Sequence, residues 1–299
     1  MQHAAFRIRY LLIKKHLQDL GVEVQLSHKP VNGAINFYHK HYIPDAVWWI
    51  KDTGGIFDVT DDHFSEDNNG LEDKKFYYKM CEAADIITCP TQNMADVIKS
   101  RTGRDAEVVP DTIDTTVFDE ANPEYLNTRS ACWYGNKQNL YTLQNLNVDC
   151  PGFIVSNLKP EDKITKSGNW EYVDWSFENI KLIFLYSDIV LVPYKTRNKS
   201  LDSFMSVKSP NRIMNALYSG KIVVTDDNPV VKSYGLQDFV IIDDNIQRGI
   251  EWVWENPYKA LDKVKKGQEY VKENYNAKKV AQRWYEVIQK TSTLIDAEN

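Results

Sequence analysis

Short apolar runs alternate with amphipathic stretches along most of this chain, and that alternation restricts the fold more than any other feature. Residues 5–20 place Phe6, Tyr10, Ile13, Leu17 and Leu20 near one helical face, with Gly21 as the stop. Val22–Leu26, Ala34–Phe37, Ala46–Ile50 and Ile56–Val59 read as strands, helices are expected near 72–84 and 91–102, and Asp85–Thr88 and Glu107–Val109 read as strands again. A polar stretch from Pro110 to Arg129, rich in Asp, Thr, Asn and Pro, reads as a linker. The alternation then restarts. Strands are expected at Ala131–Tyr134, Phe153–Ser156 and Glu171–Val173. Helix 177–186 leads into strand Asp188–Val192, helix 210–219 leads into Ile222–Thr225, and strand Phe239–Ile242 follows. From 245 onward the chain reads as helical, interrupted at Asn256-Pro257.

Both halves carry a helix that feeds a strand opening on Asp: AADIITCP at 83–90 and YSDIVLVP at 186–193. Strands alternating with helices imply parallel sheets covered on both faces. The expected class is therefore α/β, with two Rossmann-like parallel-sheet domains facing each other across a cleft. The expected division is 1–120, 121–275, and a terminal helix over 276–299 that crosses back to the first domain. A fold of this kind usually opens with a strand, whereas here the helix is expected to start almost at Met1, so the expectation is that the first strand is absent or the domain is trimmed. Open parallel sheets bind ligands at the carboxyl ends of their strands.

Composition narrows the partners. The chain has 299 residues and a formal net charge of −6, so a broad nucleic-acid footprint is excluded while local phosphate-binding patches are not. Cys81, Cys89, Cys132 and Cys150 form no C-x-x-C pair and read as reduced thiols of a cytoplasmic protein. No apolar run is long enough to span a membrane and no signal-peptide pattern opens the chain, which leaves room for peripheral contact with a membrane surface.

The segments YSDIVLVPYK (186–195) and SVKSPNRIMNALYSGKIVVTDDNPVVKSYG (206–235) resemble the donor-binding domain of GT-B glycosyltransferases in the broad group around family 4. ADIITCPTQNMADVIKSRTGRDAEVVPDTID (84–114) is similar to the end of that group's acceptor domain. ENYNAKKVAQRWYEVIQK (273–290) looks like its final crossing helix. The resemblance implies transfer of a sugar from a UDP-, GDP- or dTDP-linked donor to a hydroxyl of a glycan or glycolipid, with polysaccharide biosynthesis as the commonest setting. It implies no bound metal and no cofactor. A nucleotide-sugar epimerase or hydrolase, or a non-catalytic nucleotide- or glycan-binding relic, is the competing expectation, since one fold hosts many functions.

Several residues are candidates for that chemistry. In Lys208-Ser209-Pro210-Asn211-Arg212, Ser209 suits an N-cap and Pro210 the first helical turn. The free N–H groups and the helix dipole favour a diphosphate, and Lys208 and Arg212 add positive charge. Gly135 in WYGN (133–136) allows close backbone approach to phosphate, with Asn136 or Lys137 beside it. Tyr194 and Lys195 follow the Asp-initiated strand, and the resemblance places Trp175 near the nucleotide base. The two glutamates that many retaining members carry, with seven residues between them, correspond to Val207 and Asn215, so that pair is absent. In the first half, Asp58, Asp61, Asp62 and His63 follow a strand end. A carboxylate there suits a general base, and Asp61 and Asp62 are the leading candidates. The same Asp-x-x-Asp-Asp cluster would also suit Mg²⁺ or Mn²⁺ in a different fold. Arg7 is a candidate contact to acceptor or phosphate. His39 and His41 read as surface histidines, and most of the eight tryptophans read as core.

Overall fold

A computed structural model describes residues 4–39, 43–64, 71–125, 128–144, 148–157, 170–196, 202 and 204–298. The chain forms two compact units. The first comprises Met1–Thr112, Val207–Ser209 and Tyr275–Asn299, and the second Ile113–Ser206 and Pro210–Asn274.

The first unit holds a four-stranded sheet of order β1-β2-β3-β4, formed by Phe37–His39, Ile56–Asp58, Ile86–Cys89 and Glu107–Val108. All pairings are parallel, with Ile56 opposite Ile86 and Asp58 opposite Thr88. Side chains alternate across the sheet. Ile56 and Ile86 face Ile13, Leu17 and the C-terminal helix Ala277–Glu298 through Val280, Ala281, Trp284 and Val287. Phe57 and Ile87 lie in the other core with Phe76, Tyr77 and Met80 of α4 (Leu71–Ala83) and Met94 and Ile98 of α5 (Gln92–Thr102). Val207 belongs to this same core.

Four sequence expectations fail here, the first being the strand expected over Ala34–Phe37, which forms instead as Phe37–His39. The continuous helix over 5–20 is instead α1 (Ala4–Phe6), a π-helical turn (Arg7–Leu11) in which Leu12 N–H reaches the Arg7 carbonyl, and α2 (Lys14–Asp19). Val22–Leu26 forms no strand. Ala46–Ile50, read as a strand, begins α3 (Ala46–Thr53), which buries Ala46 and Ile50 one turn apart and leaves Trp48 exposed. A short apolar run does not by itself separate strand from helix, and here Pro44-Asp45 and the four-residue spacing of the buried positions select the helix. The strand expected over Glu107–Val109 spans Glu107–Val108, with the Val109 N–H still donating to the Cys89 carbonyl at 2.9 Å.

The second unit holds six parallel strands: β5 Ala131–Tyr134, β6 Gly152–Ser156, β7 Trp170–Asp174, β8 Ile189–Leu191, β9 Ile222–Thr225 and β10 Ile241–Ile242. Their order is β10-β9-β8-β5-β6-β7. The first strand, β5, therefore sits inside the sheet, with later strands added first on one side and then on the other. The point where the order reverses, between β5 and β8, is where an open parallel sheet offers a crevice. Helices α6 (Tyr141–Gln144), α7 (Phe177–Tyr186), α8 (Asn211–Tyr218), α9 (Pro229–Ser233), α10 (Ile246–Glu255) and α11 (Pro257–Asn274) complete the unit. Gly220 takes φ +68° between α8 and β9, and a Cβ there would fall 2.6 Å from the Ala121 carbonyl oxygen, so only glycine closes this turn without strain. Among the described residues no helix is long and apolar enough to cross a membrane. The four cysteines are free and buried, and burial pushes their thiols up to about 12.

Candidate functional site

The second unit gathers several sequence-selected residues at the carboxyl end of β5. Tyr134 is the last residue of that strand, and its hydroxyl donates to the Arg212 carbonyl at 2.9 Å. Arg212 returns a bond from Nη1 to the Tyr134 carbonyl at 3.4 Å, and its guanidinium lies 5.6 Å from the Trp133 ring centroid. The Gly135 backbone is held by Val155 and Ser156 of the neighbouring strand. A Cβ at Gly135 would sit 3.1 Å from the Trp133 ring and 3.6 Å from Arg212 Nη1, so the bare turn and the guanidinium share one small space. Trp175 stacks on Tyr134 with ring centroids 6.3 Å apart and planes 23° from parallel. Gly135, Arg212 and Trp175 are thus neighbours through Tyr134.

Arg212 also belongs to the first turn of α8. The cap residue is Pro210, with φ −79° and ψ 31°, and no side chain caps the helix. The expectation of Ser209 as N-cap is therefore corrected: its hydroxyl is buried with no hydrogen-bond partner. Pro210 brings no hydroxyl or carboxylate, so the first-turn N–H groups of Asn211 and Arg212 have neither an intrahelical nor a capping acceptor. A helix start left this way, with a guanidinium attached, suits a phosphate oxygen. Asn136 is committed locally, accepting from the Gln138 N–H at 3.0 Å to start a 3₁₀ turn over Lys137–Asn139. The Lys137 N–H donates to Asn157 Oδ1. Lys195 is exposed and pairs with Asp244 at 2.6 Å. Tyr194 is buried; burial pushes its phenol well up, Arg212 opposes that and Asp226 adds to it.

The first unit arranges the acidic segment in layers. Asp58, at the end of β2, has no exposed surface. Arg9 donates to both its oxygens at 2.7 Å, Thr88 donates at 2.9 Å and Tyr10 at 2.5 Å. Arg9 also reaches Asp111 at 2.8 Å and the Val109 carbonyl at 2.9 Å, and lies over Trp284. Burial alone would raise Asp58; Arg9 and His39 override it and hold the carboxyl well below the usual range. For Arg9 itself, burial is outweighed by Asp58 and Asp111, which push the guanidinium up. Asp58 thus serves as a buried tie between the π-helical turn and the sheet. Asp62 is also buried, accepting from the Phe64 N–H at 3.0 Å. His63 stacks on Tyr77 at 4.4 Å. Asp61 is the more exposed of the pair Asp61 and Asp62, and lies 3.5 Å from Lys208 Nζ. Arg7 is half-buried in the π-helical turn.

His39 corrects its surface assignment. Its side chain is 9% exposed, with Nδ1 3.3 Å from Asp58. His41 lies outside the described residues. Among the described residues no group of three or more His, Cys, Asp or Glu is placed to hold a metal ion. Sequence reasoning missed Arg9, Tyr10 and Asp111. For Arg9 a signal existed: it is three residues after Phe6 and four before Ile13, on the buried stripe rather than the solvent face.

No family model matches the sequence, and no curated protein does. Solved structures do match. Sucrose-phosphate synthase from Thermosynechococcus elongatus aligns with TM-score 0.60 and 11% identity, over 83% of this chain and 71% of that one. Anabaena HepE, solved with UDP and glucose, aligns with TM-score 0.62 and 11% identity over 96% and 83%. TarM aligns with TM-score 0.55 and 13% identity over 80% of this chain, which spans about half of TarM's length, 51%. The fold is that of the GT-B glycosyltransferases.

Proposed function

We propose that this chain is a nucleotide-sugar-dependent glycosyltransferase that moves a sugar to a hydroxyl of a glycan or glycolipid acceptor. The observation that carries the reading is the grouping of Arg212, the uncapped start of α8 and the Gly135 turn beside the reversal point of the second sheet. That grouping supplies what a nucleoside diphosphate leaving group requires: a fixed cation, unpaired N–H groups and backbone without a side chain in the way. UDP in the HepE structure supports a uridine donor for a chain of this fold.

In this reading Trp175 offers a face to the base, Gly135 and the first turn of α8 take the diphosphate, and Arg212 offsets the negative charge that grows as the glycosyl bond breaks. Tyr134 acts through Arg212, fixing both its backbone and its guanidinium. Asp61 is the carboxylate we assign to the acceptor hydroxyl, because Asp58 and Asp62 are buried and committed to structural bonds. Lys208 orients Asp61. The chain needs no resident cofactor for these roles. The test is release of nucleoside diphosphate from UDP-, GDP- and dTDP-sugars in the presence of a panel of glycan and glycolipid acceptors, with glycosylated product followed by mass spectrometry. Product formed by the wild type and lost in Arg212→Ala supports transfer. Free sugar or a free epimer without acceptor, or donor binding with no turnover, contradicts it.

A further inference from the structure

Val207–Ser209 belongs to the first unit, although the chain on either side of it belongs to the second. The segment forms no helix or strand of its own, so side chains of the first unit must hold it. One hold is apolar: Val207 is buried in the core that contains Phe57, Met94 and Ile98. The other is polar. The Thr91 hydroxyl donates to the Val207 carbonyl at 2.8 Å, across 116 positions of sequence. Among the described residues no other donor reaches that carbonyl. Thr91 lies just past the carboxyl end of β3 and has no exposed surface. It also caps α5, its Oγ1 accepting the Met94 N–H at 3.0 Å. One hydroxyl thus gives its proton to Val207 and a lone pair to the helix.

Capping α5 needs only the lone pair. The proton serves the segment. The next residue, Lys208, lies 3.5 Å from Asp61, and both side chains are partly exposed, at 22% and 17%. An ion pair open to water holds little by itself, least of all when a long flexible side chain must be ordered to make it. A buried carbonyl stripped of its donor costs more than such a pair returns. The segment therefore holds the pair, and not the reverse. Lys208 is one residue from the anchor, about 3.8 Å of backbone away. Freeing Val207 frees the point from which the ammonium reaches Asp61. We propose that Thr91 is a positioning residue for the Lys208–Asp61 pair: by fixing the Val207 carbonyl it keeps Lys208 beside the carboxylate assigned to the acceptor hydroxyl. This rests on the assignment of Asp61 above, and adds to it a residue that acts only through Val207 and Lys208.

A double-mutant cycle reads this. The wild type, Thr91→Val, Lys208→Met and the double variant are assayed for turnover of UDP-, GDP- and dTDP-glucose on the panel of glycan and glycolipid acceptors, and for binding of UDP, GDP and dTDP by calorimetry. Valine keeps the shape of threonine and loses the hydroxyl. Expected in Thr91→Val is a kcat at least about tenfold lower, with nucleoside diphosphate affinity within about twofold of wild type. The double variant should be within about twofold of Lys208→Met alone, because both changes act on one pair. Thr91→Ser, which keeps both bonds, should hold kcat within about twofold of wild type. If Thr91 only caps α5, the effects of Thr91→Val and Lys208→Met multiply instead. Should uncapping lower the Tm of Thr91→Val by more than about 10 °C, Val207→Ala takes its place in the cycle. That variant loosens the segment and leaves the cap, and its kcat should fall at least about threefold, with no further loss on top of Lys208→Met. A kcat within about twofold of wild type, or multiplying effects in the cycle, overturns the proposal while wild-type transfer stands. If the wild type forms no product with any donor, the transfer reading falls and this inference with it.

Discussion

Replacing Arg9 by Met tests whether the buried tie in the first unit carries the energy its geometry implies. Arg9 makes four hydrogen bonds, two to Asp58, one to Asp111 and one to the Val109 carbonyl. Methionine fills much of the volume but leaves two carboxylates, 0% and 6% exposed, without their cation. Removing one partner of such a buried pair costs about 3–5 kcal/mol. For a chain of this size, with about 2–4 °C per kcal/mol, the expected fall in Tm is roughly 6–20 °C. The pH dependence gives the sign. In the wild type Asp58 is held below its ordinary range, so its contribution is fully present above the unfolded carboxylate pKa near 4 and fades as pH falls below that. In Arg9→Met the counter-pull is gone and burial raises Asp58, so protonation relieves the variant. The gap between wild type and variant should therefore narrow between pH 7.5 and pH 5. Thermal unfolding followed by circular dichroism at both values reads this directly. Arg9→Met with Asp58→Asn should recover part of the loss, because the two positions couple. A drop below about 2 °C at pH 7.5, or an equal drop at both values, refutes the reasoning.

Other substitutions follow from the same contacts. Gly135→Ala drives a Cβ against the Trp133 ring, and denaturant unfolding should show a loss of about 1–3 kcal/mol together with weaker nucleotide binding. Trp175→Ala removes the face offered to the base, and calorimetry should find nucleotide binding weaker by about 1–3 kcal/mol with sugar discrimination unchanged. Trp284→Ala empties a fully buried position packed on Arg9 and β2, and chemical denaturation should show a loss of about 3–5 kcal/mol.

The second half was the more legible in sequence because its strands are central and apolar on both faces. Ile189–Leu191 and Ile222–Thr225 are wholly buried, so their runs stand out, and helix 177–186 was placed to the residue. The first half resisted for definable reasons. The run Ala46–Ile50 has the length and composition of a strand, and only the burial of Ala46 and Ile50 one turn apart separates it from one. The π-helical turn depends on one shifted carbonyl partner, which no side-chain pattern encodes. At the site, the loop 208–212 was visible because Ser-Pro reads as a helix start with Lys208 and Arg212 beside it, and Gly135 because glycine lets backbone approach phosphate, the flanking segments that resemble a donor-binding domain giving both their weight. Thr91 was not, because a threonine before a helix is common cap chemistry; only its bond to the distant Val207 carbonyl distinguishes it. Asp58 stood out as acidic, but burial and Arg9 decide its role, and both depend on residues distant in sequence.

The most direct test of the account is calorimetric binding of UDP, GDP, dTDP, CDP and ADP to the wild type and to Arg212→Ala, with and without Mg²⁺. The account predicts that one nucleotide binds the wild type, that binding is indifferent to Mg²⁺, and that Arg212→Ala weakens it at least about tenfold. Binding of none of the five, or equal binding by the variant, would contradict a diphosphate site built on the Gly135 turn and the first turn of α8.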